Sequence, residues 1–257
     1  MQRLTVSDKT WQALLRLKRS AGGATAEPDR DDPAWQVYSP LVCRSRSSFV
    51  IAQVGQSLDG RVATASGDAR DISGPDGILH LHRLRALVDA VIVGVGTVVA
   101  DDPQLTVRDV EGPCPVRVVI DPAGRMPSDA GLLSGKGPPP LVIRDRAKCR
   151  DAADTIIHLD AIDGRLSPHS ILGALAARGL HSVLVEGGAN TIGAFLNSGQ
   201  IDRLHVAISP IVIGSGPAGL NLPAIERLDQ ALRAPCKTYD LGSDVLFDLE
   251  YRRDRGG

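Results

Sequence analysis

The stretch from Ala90 to Arg108 constrains this chain more than any other. It opens on Ala90-Val91-Ile92-Val93, four apolar residues in a row, too few for a helix. A continuous apolar run without alternation fits a strand buried on both faces, as in a parallel sheet. Gly94 and Gly96 then end the strand in a tight turn, and Thr97 is placed to cap the short segment that follows. Asp101, Asp102 and Pro103 close that segment, and Arg108 ends a small β-like run. In open α/β sheets ligands bind outside the carboxyl ends of strands, so polar residues directly after a buried strand are site candidates.

The same alternation of apolar runs and helical patterns recurs along the chain. Phe49 to Gly55, Pro115 to Asp121, Leu141 to Ile143, Thr155 to Leu159, Ser182 to Val185 and Leu204 to Ile213 read as strands. Residues 7–19 read as an amphipathic helix, with Ser7 as N-cap and Trp11, Leu14, Leu15 and Lys18 at helical spacing. Pro75 to Val88 and Pro168 to Gly179 read as helices that begin on proline. Val245 to Tyr251 alternates, with Asp248 and Glu250 opposite Val245, Phe247, Leu249 and Tyr251, which suits an antiparallel strand with one solvated face. The expected fold is therefore a three-layer α/β/α domain, with a mainly parallel sheet and an antiparallel C-terminal strand. Residues 1–45 read as a helical extension and linker, and 46–257 as the main domain. Within the extension, residues 22–33 have linker composition, and 35–43 either add a strand or lie over the domain.

Composition narrows the function classes. The net charge is −1 over 257 residues and no basic run exists, so neither nucleic acid nor an anionic membrane is an expected partner. The cysteines at 43, 114, 149 and 236 have no C-x-x-C spacing, which argues against a structural metal or a disulfide framework and fits a cytoplasmic protein. No stretch of about 18 apolar residues occurs, so no membrane span is expected. Gly135-Lys136-Gly137 lacks P-loop spacing, and the G-x-G-x-x-G of Gly214 to Gly219 is followed by Pro223 rather than an amphipathic helix.

Two features point to anions. Ser182-Val183-Leu184-Val185 runs straight into Glu186-Gly187-Gly188-Ala189-Asn190-Thr191 and a helix with Ile192, Phe195 and Leu196 inward. A strand, a glycine turn and a helix N-terminus form an anion site, the alternative being a plain βα turn. Arg85 falls on the apolar stripe of Ile78, Leu81, Leu84 and Val88. A buried guanidinium needs an anion, either a carboxylate of the protein itself or a ligand phosphate. His80 and His82 read as structural histidines, since no third metal ligand is near.

The stretch from Asp89 to Arg108 resembles the reductase of riboflavin biosynthesis, whose pattern is D-A-x-x-V-G-x-x-T-V-x-x-D-D-P-x-L-T-V-R. Gln56-Ser57-Leu58-Asp59-Gly60-Arg61, His82-Arg83-Leu84-Arg85 and Val185-Glu186-Gly187-Gly188 agree with it in the family's order. The resemblance covers about Phe49 to Tyr251 and implies a dihydrofolate-reductase-like fold, a homodimer and NADPH. It implies reduction of 5-amino-6-(5-phosphoribosylamino)uracil, hydride being accepted at the opened ribose. Under it, Arg85, Leu105, Arg108 and Glu186 meet the phosphorylated pyrimidine substrate, and Asp59 and Glu186 orient the reacting centre. Gly55, Thr97, Asp101, Gly188, Ala189, Asn190, Thr191, Ile192 and Gly193 fall to the cofactor. The basic Arg144, Arg146 and Lys148 are either a solvated face or the reader of the adenosine 2′-phosphate. The zinc deaminase often fused ahead of such reductases has the signature H-x-E…P-C-x-x-C. That signature is absent here, so a stand-alone reductase without a metal is expected. Three positions depart from the bacterial pattern: Gln53 replaces a Lys, and Ala69 and Asp71 stand where Ser and Trp are usual. Those departures leave open a same-fold reductase of another heterocycle. A non-catalytic nucleotide-binding regulator is the other alternative, separable by NADPH oxidation.

Overall fold

The computed structural model describes residues 1–20, 31–43, 48–134 and 137–251. Most of the linker-like stretch 22–33, and Lys136 of the false P-loop, lie outside the described residues. The strands are β1 (Gln2–Arg3), β2 (Phe49–Ser57), β3 (Ala90–Gly94), β4 (Val116–Ile120), β5 (Leu141–Asp145), β6 (Ile156–Leu159), β7 (Ser182–Gly187), β8 (Arg203–Ser209), β9 (Cys236–Asp240) and β10 (Val245–Glu250). They form one ten-stranded sheet in the order β1-β9-β10-β8-β2-β7-β3-β4-β5-β6. From β8 to β6 every neighbouring pair is parallel, and β10 runs antiparallel to β8 and β9. This is the mainly parallel sheet with an antiparallel C-terminal strand.

Helices cover both faces. They are α1 (Asp8–Arg19), α2 (Pro33–Tyr38), α3 (Pro75–Leu87), α4 (Val95–Asp101), α5 (Gly131–Ser134), α6 (Pro168–Ala176) and α7 (Ala189–Asn197). One apolar cluster joins Ile51, Val91, Val93, Val119 and Leu184 to α1, α2 and α3. The other joins Val50, Ala52, Ile92, Val118 and Val183 to α6 and α7. The central strands thus bury both faces, which is why they read as unbroken apolar runs. Among the described residues no helix is long and apolar enough to cross a membrane.

Of the two alternatives for residues 35–43, lying over the domain holds: Asp32 caps α2 by accepting from the Ala34 amide at 2.8 Å, Pro33 starts the helix, and a 3₁₀ turn over Ser39–Leu41 follows. Three expectations need correction. Thr97 caps nothing, because α4 starts at Val95 with Gly94 as N-cap. The strand expected to reach Ile213 leaves the sheet after Ser209. In β10 the buried residues include Asp248, while Val245, Phe247 and Leu249 are half-buried. The face expected to be solvated is covered by α2, whose Gln36 and Val37 carbonyls accept from Arg203, the partner of Asp248.

Candidate active site

Two cavities open at the carboxyl ends of the parallel strands, one on each side of the N-terminus of α7. The first, about 580 Å³, is bounded by β2, β7, the start of α3, α4 and the 62–73 loop; Gly55, Thr97, Asp101, Glu186, Gly188, Ala189 and Ile192 line it. The second, about 670 Å³, is lined by Asn190, Thr191 and Gly193 of α7 and by Arg125 and Arg165 from loops after β4 and before α6. The residues expected at the cofactor therefore do come together, divided between two chambers by one helix end.

Glycines allow that helix to sit where it does. A Cβ on Gly94 would stand 2.5 Å from Thr191 Oγ1, one on Gly188 3.0 Å from Thr97 Oγ1, and one on Gly193 1.9 Å from the Asn221 carbonyl oxygen. The tight packing sets the first turn of α7 at the end of β3. No side chain caps α7. Its first-turn amides, which no helix satisfies internally, therefore face the groove. The formal G-x-G-x-x-G serves another purpose. A Cβ on Gly216 would lie 2.0 Å from the Ala63 carbonyl oxygen, so these glycines let the 214–219 loop approach the 61–64 loop.

Glu186 ends β7 and borders the first cavity. Arg85 of α3 grips its carboxylate with two nitrogens, Nε donating to Oε2 at 2.8 Å and Nη2 donating to Oε1. Nη1 of Arg85 donates to the Thr106 carbonyl at 3.1 Å. Of the two anions open to Arg85, the structure supplies the carboxylate. Burial opposes the Arg85 charge, but the Glu186 carboxylate outweighs it and raises the arginine's pKa. Arg108 reaches the same residue from outside, donating to Thr106 Oγ1 at 3.0 Å and to Gln104 Oε1 at 3.2 Å. Leu105, between these contacts, adopts φ +56° and buries its side chain in the core, so only its backbone is available to a ligand.

Asp59 lies outside the lining of either cavity. Its carboxylate accepts from Ser57 Oγ at 2.6 Å and from the Ile213 and Gly214 amides at 3.1 and 2.6 Å. The Ser57 hydroxyl first, then those amides, lower its pKa to about 2. Asp59 therefore staples the end of β2 to the 213–214 loop. Asp101 lines the first cavity, and partial burial raises its carboxyl above the ordinary range. Two residues of the basic cluster after β5 have acidic partners: Arg144 pairs with Asp121 and Asp151, and Arg146 with Asp160 at 3.1 Å. Arg125 and Arg165, which sequence reasoning passed over, have no ion-pair partner among the described residues. Their position after a strand end and before a helix start was the available signal.

Beneath α3 runs a buried polar chain. Tyr38 Oη lies 2.6 Å from His80 Nδ1, His80 Nε2 lies 3.1 Å from His205 Nδ1, and His205 Nε2 lies 3.3 Å from Asp248 Oδ1. With both rings neutral, one arrangement directs every hydrogen toward the carboxylate: Tyr38 donates to His80, His80 to His205, and His205 faces Asp248. The chain confirms the structural reading of His80. His82 is likewise held, accepting from the Arg108 amide at 3.2 Å with Asp109 3.1 Å from its other nitrogen.

Residues 48–246 match the RibD C-terminal domain. The chain is 32% identical over 212 residues to 2,5-diamino-6-ribosylamino-4(3H)-pyrimidinone 5′-phosphate reductase of Methanothermobacter thermautotrophicus, covering 78% of this chain and 96% of that one. It is 32% identical over 208 residues to the riboflavin biosynthesis protein RibD of Aquifex aeolicus, covering 79% of this chain but 58% of the relative. Among solved structures, the diaminohydroxyphosphoribosylaminopyrimidine deaminase/5-amino-6-(5-phosphoribosylamino)uracil reductase of Thermotoga maritima superposes with a TM-score of 0.66 at 26% identity. That match covers 80% of this chain and 57% of that chain. The chain thus spans nearly the whole archaeal reductase but little more than half of the longer bacterial proteins.

Proposed function

The chain belongs to the RibD C-terminal domain family, and on that premise we propose that it is an NADPH-dependent reductase of a phosphoribosylaminopyrimidine, serving riboflavin biosynthesis. The observation that carries the proposal is the uncapped N-terminus of α7 standing between two cavities, with Glu186 facing one of them. That layout suits a ligand with a doubly charged centre and two flat ends. The amides of Gly188, Ala189 and Asn190 would hold the pyrophosphate. Thr97, Asp101 and Ile192 would border the nicotinamide in the first cavity, and Arg125 and Arg165 the adenosine end in the second. When bound, the dinucleotide supplies the hydride.

The protein's own work is orientation. Arg85 fixes both carboxylate oxygens of Glu186, so Glu186 presents a set of acceptor lone pairs toward the first cavity. Those lone pairs suit the hydroxyls of an opened ribose. Arg108 is exposed, outside the residues that line either cavity, and has donors left for the substrate phosphate. Arg85 then serves substrate through Glu186 and the Thr106 carbonyl, and Asp59 serves it by fixing the loop at the end of β2.

Mixing the purified protein with NADPH and a phosphoribosylaminopyrimidine tests the proposal. Loss of the reduced nicotinamide absorbance, with formation of the ribitylamino product, is the expected result. Tight NADPH binding without turnover would establish a regulator instead. The exposed Ile211, Val212, Ile225, Leu228 and Leu232, all within one extended segment, further support a homodimer, which sedimentation velocity checks.

A further inference from the structure

Two polar side chains of the first cavity are left without work by everything above. Gln53 of β2 is 4% exposed and lines the cavity, and no group of the described residues bonds its amide. Asp71 lines the same cavity from the 62–73 loop, holds φ +58° and likewise has no partner among the described residues. The Gln53 amide faces the cavity, so its hydrogen bonds are left to water or to a ligand.

The fold sets Gln53 beside Glu186 and leaves Asp71 exposed at the open side of the same cavity. Side chains alternate along a strand, so Gln53 and Gly55 share one face of β2. A Cβ on Gly55 would lie 2.2 Å from Ser73 Oγ, so the 71–73 segment crosses that face. Ala52 and Val185 are in register on β2 and β7, which puts Gln53 level with Glu186 one step further on. Gln53, Asp71 and Glu186 therefore line one cavity, from its floor, its loop wall and the end of β7.

The relatives of this chain carry two reductase names, and the pyrimidines in those names differ at C2. In the 2,5-diamino-4(3H)-pyrimidinone, N3–H and the 2-amino group are adjacent donors, the same pair that guanine presents. A carboxylate accepts both. On the uracil, O2 replaces the amino group, and its lone pairs would face the carboxylate. Next along the ring come O4 and the 5-amino group, an acceptor beside a donor. A carboxamide matches that pair.

We propose that Asp71 and Gln53 select the 2-amino form of the substrate, Asp71 reading N3–H and the 2-amino group and Gln53 reading O4 and the 5-amino group. The inference rests on the reductase reading and deepens it. It also orders the chemistry. Reduction comes first, and a separate hydrolase must then exchange the 2-amino group for oxygen, taking up water and releasing ammonia.

Steady-state kinetics of the purified protein with NADPH and each pyrimidine tests this. The wild type should favour the 2-amino substrate by about 10-fold or more in kcat/KM. Asp71→Asn keeps a residue that tolerates the left-handed backbone. It should lower kcat/KM for the 2-amino substrate about 10- to 100-fold, mostly through KM, at the rate of a lost charge-assisted hydrogen bond. The uracil substrate should be little affected, so the preference collapses. A wild type that uses the uracil equally well or better overturns the inference, whatever the variant does. So does an Asp71→Asn protein that loses both substrates alike. Oxidation with neither pyrimidine overturns the reductase reading itself.

Discussion

Arg85–Glu186 and Arg203–Asp248 are the same pair twice: a guanidinium bound edge-on to a carboxylate, both side chains about nine-tenths buried. Their surroundings differ. Asp248 also borders a cavity, of about 690 Å³ at the amino ends of the parallel strands, but its oxygens are already shared: His205 stands 3.3 Å from the one that also accepts from Arg203 Nε, and its carboxyl is held well below the ordinary range despite burial. Glu186 has Arg85 on one side and an open cavity on the other. A buried carboxylate met by both an arginine and a histidine is committed to its own neighbours. One with an edge left open is an oriented acceptor for something else.

The comparison breaks most sharply at Asp248. Asp248→Ala leaves Arg203 buried and unpaired, so it should cost about 3–5 kcal/mol of folding stability, read from the denaturant midpoint. Arg85→Ala should show the converse pattern. Its orphaned carboxylate borders the cavity and can be hydrated there, so stability should fall less. The kcat/KM should drop about 10- to 150-fold, the cost of one charge-assisted contact, with NADPH affinity nearly unchanged. Equal stability losses in the two variants would erase the distinction.

A smaller effect separates two sets of arginines. Arg125→Ala with Arg165→Ala should lower the preference for NADPH over NADH by about 10-fold. Arg144→Ala with Arg146→Ala should leave it intact, because their guanidinium groups already have carboxylates. Competing measurements of both reduced nicotinamides on the two double variants decide which set reads the 2′-phosphate.

The smallest effect is in pH. Burial, first among the causes, lowers the pKa of both His80 and His205. Below about pH 6.5 the unfolded chain takes up protons on these rings that the folded protein refuses. Stability is therefore full above that pH and falls below it. Asp248 works in the same direction at lower pH: its depressed carboxyl stabilises the fold above about pH 3.9, and that contribution is lost on further acidification. Urea midpoints measured from about pH 7.5 to 5.5 should decline, and His80→Asn should flatten the decline.

The parallel strands and the glycine turn after β7 were legible because burial on both faces leaves a run of Val, Ile and Leu that nothing else explains. Arg85 announced its need for an anion by its spacing from Leu81, Leu84 and Val88, although Ile78, the first residue of that stripe, is exposed. Its partner lies 101 residues away, a separation that local pattern does not span. Periodicity placed Asp248 on one face of its strand correctly and misjudged what covers that face, since α2 comes from the other end of the sequence. The Asp32-Pro33 start of α2 was readable and was passed over in favour of the apolar residues behind it. The alternatives at the Arg144 cluster stayed open for the opposite reason: its charges are adjacent in sequence, and the acids that pair with Arg144 and Arg146 are not.

The two-residue strand β1 pairs with Tyr239 and Asp240 of β9. Its partner leaves the ribosome 237 residues after it does, when the parallel half of the sheet has already been translated. Until then β1, and the Leu4 that follows it into the core, must wait without a template. The edge that β1 closes is thus the last to be sealed, and a nascent chain stalled before β9 exposes an unpaired strand that a neighbouring polysome can seize.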